Sequence, residues 1–403
     1  MSTRILGALA LPTVLLLEAC GAPSERVAVA EALAAGGNPC SEAFVAVHDL
    51  EITVLPTGVD DTANLQCALD VAASREPGAI VRLAAGDFYI AQVNVYGFEG
   101  RLAGAGMQAT VIHNVPWPIP VTPIDYFTAL PSAGWQWSGL LFFVGGAFTV
   151  SDLSLVISGF PVTTGTTFSF WDLEPFTELQ FAIAAVGEGT QASLLRVLID
   201  AEPAPVRDAE NPGASLYGTN LINAVTLAGL VHYEPISGAL TVRRCRVQGA
   251  ATSVELMSLH DATVVVSESE LGGTFDAVDV FTGGSGLDLT VTRNAISAPY
   301  GVEFADWVEP QPSIHDSRLV IRKNVFAGDV GIDMGASAYG TTWTFGEDVR
   351  CRMTDNDVDA VTGTGIYLGP GTKGCVVKGT PVDRVVDEGL DNVVVQPGHR
   401  HLR

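Results

Sequence analysis

A short pattern of alternating apolar and polar residues recurs five times between about residues 238 and 371. Each copy has an apolar strand, a turn, and a second strand with a polar residue between two apolar ones. The second strands read Val254-Glu255-Leu256, Val278-Asp279-Val280, Val302-Glu303-Phe304, Ile332-Asp333-Met334 and Ile366-Tyr367-Leu368. Their spacings of 24, 24, 30 and 34 residues indicate structural repeats with insertions. The alternation predicts that one side of each strand faces a core and the other faces solvent, as in the stacked coils of a parallel β-helix.

Two further columns support this register. Small polar residues recur two places before an apolar residue, at Cys245, Ser269, Asn294, Asn324 and Asn356. Three Asn in equivalent positions predict a ladder of side-chain amides, with Cys245 as a buried filler rather than a nucleophile. Just before each of these lies a charged residue, in the order Arg244, Glu268, Arg293, Lys323 and Asp355. Mixed signs on neighbouring coils predict lateral salt bridges at the surface.

A helix is predicted over Thr62–Ser74, with Asp61 or Thr62 as its cap. Its apolar face is suited to cover the open end of a β-helix, where strand edges and apolar side chains are otherwise exposed. Aromatic residues concentrate in three stretches, at 114–137, 160–180 and 201–237, which are predicted to be loop insertions that either pack on the scaffold or bind sugars.

The segments around this helix carry a family resemblance. Asp60-Asp61-Thr62, the helix, an alternating strand ending in Gly86-Asp87-Phe88, then Gly104-Ala105-Gly106 and Thr110-Val111-Ile112 follow in order. They resemble the N-terminal part of the pectate-lyase-like superfamily of right-handed parallel β-helices. The resemblance extends over roughly residues 40 to 396 and implies an all-β, single-stranded right-handed parallel β-helix with an N-terminal capping helix. It does not imply one activity, because that superfamily includes lyases, hydrolases, epimerases and non-enzymes.

Charge narrows the possible partners. The chain of 403 residues has 21 Lys and Arg against 45 Asp and Glu, a net charge of -24. Nucleic acid is therefore excluded as a partner, because its backbone requires clustered cations. An anionic polymer could bind only at a local basic patch or through bridging divalent cations.

The first residues predict export. Arg4 precedes an apolar run from Ile5 to Leu17, too short to span a bilayer, which predicts a signal peptide over 1–19. Leu17-Glu18-Ala19-Cys20 resembles the lipobox of bacterial lipoproteins, with Cys20 as the lipid-bearing residue; plain secretion is the alternative. Residues 20–38 read as a flexible tether and 39–403 as the β-helix domain, a monomer that meets the membrane only through its lipid.

In an oxidising compartment, the economical disulfide pairings are Cys40 with Cys67 and Cys351 with Cys375, which leaves Cys245 reduced.

Four successive coils carry an acid at the outward position of the second strand, namely Glu255, Asp279, Glu303 and Asp333, with Tyr367 on the fifth. We call the four acids the acidic column. Equivalent residues on neighbouring coils lie about 4.8 Å apart, so like charges require relief. The column could hold protons, bind Ca²⁺ through carboxylate oxygens, or be neutralised by Arg.

Two hypotheses for function follow. In the first, the protein is exported and binds polysaccharide or another extended polymer along one flank without cleaving it. In the second, it is a polysaccharide hydrolase or lyase with Asp276, Asp279 and Glu303 as catalytic carboxyl groups. Trp307 and Tyr367 are candidate sugar contacts under both.

Overall fold

The computed structural model describes residues 38–75, 77–115, 139–158, 179–204, 218–229, 235–281, 284–305, 313–335, 344–346 and 348–396. Strands dominate this part of the chain, and almost all of them pair in parallel with the strand one coil earlier and one coil later. Successive coils are therefore stacked into a parallel β-helix, as the repeat predicted. Trp307, Cys20 and most of the insertions at 114–137 and 160–180 lie outside the described residues, as do the aromatic residues Tyr217 and Tyr233 of the insertion at 201–237.

Each regular coil contributes to three faces, and long strands bend from one face into the next. The first face consists of β2 (Glu51–Val54), β3 (Ala79–Leu83), the later part of β5 (Val93–Ala103), the middle of β7 (Gly139–Ile157), the start of β9 (Thr190–Ala201), β11 (Ile236–Arg243), β13 (Leu259–Ser267), β16 (Asp288–Thr292), β20 (Arg318–Arg322), β24 (Arg350–Thr354), β27 (Val376–Lys378) and β29 (Val393–Val395).

The second and third faces follow the first along each coil. The second face consists of β4 (Gly86–Ile90), β6 (Thr110–Asn114), the ends of β7 and β9, the starts of β12 (Arg246–Met257) and β14 (Glu270–Phe281), β17 (Ala295–Ser297), β21 (Val325–Gly328) and β25 (Asp357–Val361). The third face consists of the starts of β5 and β7, β8 (Leu179–Val186), β10 (Leu221–Ala228), the ends of β12 and β14, β18 (Tyr300–Ala305), β22 (Val330–Met334), β26 (Ile366–Leu368) and β28 (Val385–Asp387).

A few elements lie outside these faces. They are β1 (Val45–His48), which pairs antiparallel with β2, a small sheet of β15 (Gly284–Ser285), β19 (Ser313–His315) and β23 (Thr344–Phe345), and a 3₁₀ helix (Val382–Arg384). The core runs along the axis and is formed by Val, Ile, Leu and Phe side chains from all three faces. None of the helices in the described residues is long and apolar enough to cross a membrane.

One α-helix, α1 (Thr62–Ala73), lies at the predicted place and buries its predicted apolar face. Gln66 joins it to the first strand of the third face, because its Nε2 donates to the Asn94 carbonyl (2.6 Å) and its Oε1 accepts from the Asn94 N–H (2.9 Å). Asp61 occupies the N-cap position, as predicted, but its side chain makes no capping hydrogen bond. The Asp61 carboxylate accepts instead from the backbone N–H groups of Thr57 and Tyr89, since this acid ties the helix start to the neighbouring loop and strand.

The predicted amide ladder is present at the corner between the first and second faces. The Oδ1 of Asn324 accepts from the backbone N–H and the Nδ2 of Asn294 (both 3.0 Å), and that of Asn356 accepts from the N–H of Asn324 (3.1 Å). Asn294 and Ser269 repeat the arrangement one coil earlier, where Oδ1 accepts from the Ser269 N–H. Because these amides are buried, the ladder satisfies turn groups that water cannot reach.

The charged column preceding the ladder occupies left-handed backbone positions. Arg244, Glu268, Arg293, Lys323 and Asp355 all have φ between 53° and 57°. Glu268 accepts from Arg244 (2.8 Å) and Arg293 (3.1 Å) on the two adjacent coils, which confirms a salt-bridge ladder over these rungs. The Arg244 guanidinium is the main cause that lowers the pKa of Glu268.

All cysteine predictions within the described residues are confirmed. Disulfides join Cys40 to Cys67 and Cys351 to Cys375. Cys245 is reduced and buried, and burial raises the pKa of its thiol to about 11, which makes the thiolate scarce at neutral pH.

Candidate functional site

The acidic column lies in a single file on the outside of the third face. Glu255 is in register with Asp279, Asp279 with Glu303, and Glu303 with Asp333. Tyr367 follows Asp333 in the same register. The backbone register predicted from the repeats is therefore confirmed over five coils.

The expected exposure of this column is wrong. Glu303 is fully buried, and Asp279 and Asp333 are each only 7% exposed. In the same file on earlier coils stand Phe142, Ala184 and Thr226, the first two of which belong to a second apolar cluster outside the core. This cluster consists of Phe142, Val144, Phe181, Ala184, Val186, Ala228, Met257 and Phe281. The outer side of the third face is thus largely buried around the column. The carboxyl groups of Asp279, Glu303 and Asp333 are held away from bulk water, while Glu255 is half-buried.

Asp276 lies next to the column and contacts it. It belongs to a neighbouring file, in register with Thr252 and Tyr300, and is 2% exposed. Its carboxyl group lies beside that of Glu303, and each is among the causes that shift the pKa of the other. Asp276 Oδ1 and both carboxyl oxygens of Glu303 are buried and have no hydrogen-bond partner among the described residues. Two neighbouring carboxylates at such a place require relief of their charge, so we expect a proton on this pair.

Burial and charge act in the same direction on this pair. Desolvation, followed by the negative charges of Glu303 and Asp279, raises the pKa of Asp276 well above its usual range. Desolvation also raises the pKa of Glu303, while its interaction with Asp276 opposes that rise. Both shifts favour the protonated form of the carboxyl group.

The ends of the column hold protons near neutral pH. Desolvation raises the pKa of Glu255 to about 7, and its Oε2 accepts from Asn223 Nδ2 (2.6 Å) and Thr226 Oγ1 (3.3 Å). Desolvation and the charge of Glu303 raise the pKa of Asp333 to about 7. These raised pKa values favour protonation, one of the three routes by which the sequence allowed relief of like-charge repulsion.

Aromatic side chains border the carboxyl groups of Asp276 and Glu303. Tyr300 is half-buried, follows Asp276 in register, and makes an edge-on contact with Phe275 at 5.6 Å between ring centroids. Burial and the charges of Glu303 and Asp333 raise the pKa of its hydroxyl. Sequence reasoning missed Tyr300, although its place three residues before Glu303 repeats that of Asp276 before Asp279.

The column opens toward its carboxy-terminal end. Tyr367 is half-buried, and its hydroxyl donates to Glu388 Oε2 (2.8 Å). In the next coil, Val386 occupies the same file and is 41% exposed. The exposure of this file therefore increases beyond Tyr367, where an extended ligand could reach the third face.

Metal ligation was one use predicted for the acidic column. Over the ranges that the structure describes, no three His, Cys, Asp or Glu side chains converge as a metal site requires. A role for Ca²⁺ at Glu255, Asp279, Glu303 and Asp333 stays a prediction.

Comparisons with known proteins concern the scaffold. No protein-family model matches the chain, and none of the curated proteins matches its sequence. Among solved structures, the mannuronan C-5 epimerase A-module of Azotobacter vinelandii is 14% identical, over 85% of this chain and 95% of its own, with a TM-score of 0.34. The catalytic domain of a GH87 α-1,3-glucanase in complex with nigerose is 11% identical, over 86% of this chain and 66% of its own, with a TM-score of 0.32. A surface adhesin of Streptococcus pneumoniae is 13% identical, over 84% and 88%, with a TM-score of 0.35.

These values are too low to transfer a function, so the class of protein rests on the strand register. Coil after coil of parallel pairing, an amide ladder at one corner and a core along the axis define a parallel β-helix. The described residues therefore have the parallel β-helix architecture that the repeats predicted. The right hand of the coil and membership of the pectate-lyase-like superfamily stay predictions.

Proposed function

We propose that the protein binds an extended polysaccharide on the third face, at the part of the acidic column that opens toward Tyr367. The observation that supports this proposal is the register of the column with two half-buried tyrosines. Tyr300 borders the carboxyl pair and Tyr367 continues the file. Aromatic rings beside hydrogen-bonding groups, repeated along a regular scaffold, suit a chain of sugar rings.

The buried carboxyl groups fit this ligand better than a cation. A protonated carboxyl group both donates and accepts hydrogen bonds, as a sugar hydroxyl does. The neighbours in the structural comparison include a mannuronan epimerase, an α-1,3-glucanase and an adhesin. Mannuronan and α-1,3-glucan therefore belong among the probes.

Binding should weaken when the aromatic edge is removed. We expect Tyr300→Ala to reduce affinity about tenfold for whichever polymer of an immobilised panel, including mannuronan and α-1,3-glucan, the protein binds. Tyr89→Ala is the matched control, because Tyr89 is also half-buried but lies on the second face beside His113. Equal losses in the two variants, measured by biolayer interferometry, would contradict the proposed surface.

Cleavage is the second candidate function, and the contact between Asp276 and Glu303 favours it. A protonated Asp276 could give its proton to a glycosidic oxygen, while Glu303 or Asp279 acts as base or nucleophile. Neighbouring rungs are about 4.8 Å apart, close to the separation of about 5 Å in retaining glycosidases.

Turnover separates the two functions. If the protein cleaves, products with new reducing ends or unsaturated termini should form, and Glu303→Gln should lower the rate about a thousandfold. Asp359→Asn, an exposed acid on the second face, should leave the rate unchanged. No product from any polymer that the protein binds would leave binding as the function.

The remaining proposals concern where the protein is located in the cell and how the amino-terminal end of the β-helix is covered. The chain is exported through residues 1–19 and held at the cell envelope by a lipid on Cys20, with 20–38 as a tether and a monomeric domain beyond. Two disulfides fit an oxidising compartment. Helix α1 closes the amino-terminal end, which the two hydrogen bonds between Gln66 and Asn94 support.

A further inference from the structure

Positive charge is concentrated on the last coils of the first face. Five exposed cations stand there on three neighbouring rungs and at the adjoining corner: Arg322, Lys323, Arg350, Arg352 and Lys378. We call these five residues the basic patch. In a chain with a net charge of -24, five neighbouring cations are a local excess of positive charge.

The register fixes the size of the patch. Arg352 is in register with Val320 and Val376, and the file of Arg322 continues through Thr354 to Lys378. Three rungs span about 10 Å along the axis, and the strands extend the patch about 13 Å across it. The cations therefore form a narrow strip.

Cations elsewhere on the same surface are paired. Glu268 pairs with Arg243, Arg244 and Arg293, Glu270 pairs with Arg246, and Asp288 pairs with Arg318. By contrast, none of the five residues of the basic patch forms an ion pair with another residue that the structure describes. The chain has about twice as many acids as bases, yet none of the described acids forms an ion pair with the basic patch.

We infer that the basic patch binds an anionic polysaccharide, at a site separate from the third face. Three of its five cations are arginines, whose planar guanidinium groups bind carboxylate or sulfate groups in a bidentate manner. The rungs repeat at a distance similar to the length of one sugar residue, so charges along a single polymer chain can meet successive rungs. This inference does not depend on the proposed function of the acidic column.

The surroundings favour a single polymer chain over a membrane. Exposed acids flank the patch on the second face and on the last coils, at Asp355, Asp357, Asp359, Asp387 and Asp391. An anionic bilayer is a broad surface that would press against these acids as well as the patch. A narrow chain can lie along the cations and avoid them.

A set of dextrans tests the inference, because dextran, carboxymethyl-dextran and dextran sulfate share one backbone and differ in charge. We expect the protein to bind one or both of the charged polymers at about 50 mM salt, to bind dextran far more weakly, and to lose affinity as salt increases. Carboxymethyl-dextran and dextran sulfate distinguish the carboxylate from the sulfate as the group recognised.

Two triple variants with equal charge change locate the site. Arg322→Gln with Arg350→Gln and Arg352→Gln should weaken binding about tenfold or more. Arg243→Gln with Arg246→Gln and Arg318→Gln removes three paired cations and should weaken it less than about threefold. Thermal unfolding of both variants controls for folding.

Three outcomes would overturn the inference. These are absence of binding to both charged dextrans, equal weakening in the two triple variants, or binding to phosphatidylserine vesicles without binding to either charged dextran. The last outcome would assign the patch to a membrane surface. Tyr300→Ala should leave dextran binding unchanged, which separates this site from the third face.

Discussion

The protein should become less stable as the pH rises from about 5 to about 8. Glu255 and Asp333 have pKa values of about 7 in the folded state against ordinary values of 4.5 and 3.8. Between these values the folded state binds more protons than the unfolded state, so the free energy of unfolding falls with increasing pH. Their stabilising contribution is complete below about pH 4 and is lost through about pH 7.

The expected size follows from the shifts. One unit of pKa difference corresponds to about 1.4 kcal/mol. Because part of each loss already occurs below pH 5, each of the two groups should cost about 2 kcal/mol of unfolding free energy between about pH 5 and 8. Asp276 and Glu303 act in the same direction, because their pKa values are also raised. Urea unfolding followed by circular dichroism at a series of pH values measures the effect.

Matched variants assign the effect to the column. Glu255→Gln with Asp333→Asn should flatten the dependence of stability on pH, since both amides stay neutral. Glu42→Gln with Asp359→Asn removes two exposed carboxyl groups and should leave the dependence as in the parent. A parent whose stability is constant or rises between about pH 5 and 8 would contradict the assignment.

Replacing Asn324 with Ala should destabilise the fold by about 3 to 5 kcal/mol. The Asn324 Oδ1 accepts from the N–H and the Nδ2 of Asn294, and its Nδ2 donates to the Val291 carbonyl and Asn356 Oδ1. All of these groups are in the buried corner, where water cannot replace the missing amide. Urea unfolding at fixed pH measures the loss.

A serine at this position should restore part of the loss. Ser269 occupies the equivalent place in the ladder, where its Oγ accepts from the Cys245 N–H (3.1 Å) and donates to the Ser267 carbonyl (2.8 Å). Asn324→Ser should therefore be about half as destabilising as Asn324→Ala. Val325→Ala, at a residue that is 52% exposed, should cost less than about 1 kcal/mol. Equal stability of Asn324→Ala and Val325→Ala would show that the ladder contributes little.

The repeats made the scaffold predictable because every coil repeats the same local choices. An acid between two apolar residues fixed the register of Asp279 with Glu303, and an Asn before each apolar residue fixed the ladder. Cys351 and Cys375, which are 24 residues apart, lie on neighbouring coils and so come close in space. These are consequences of nearest-neighbour stacking. Cys40 and Cys67 instead join the segment before β1 to helix α1.

The environment of the site was less predictable. Alternation shows which side of a strand faces away from the core, but it does not show what lies against that side. Glu303 is therefore buried where solvent was expected. Tyr300 was overlooked because its file contains Thr252 and Asp276, which share no residue type. The raised pKa of Asp276 depends in part on Glu303, which lies in a different file, and no repeat pattern specifies a contact between two files.

A titration of carboxyl carbons tests the central claim, that Glu255, Asp276, Glu303 and Asp333 have raised pKa values because the third face shields them from water. In protein labelled with ¹³C at Asp and Glu, resonances would be assigned through Glu255→Gln, Glu303→Gln, Asp276→Asn and Asp333→Asn. Glu255 and Asp333 should titrate near pH 7, and Asp276 should keep its proton well above the ordinary range of an aspartate. Titration of all four groups near their ordinary values of 3.8 to 4.5 would contradict the claim.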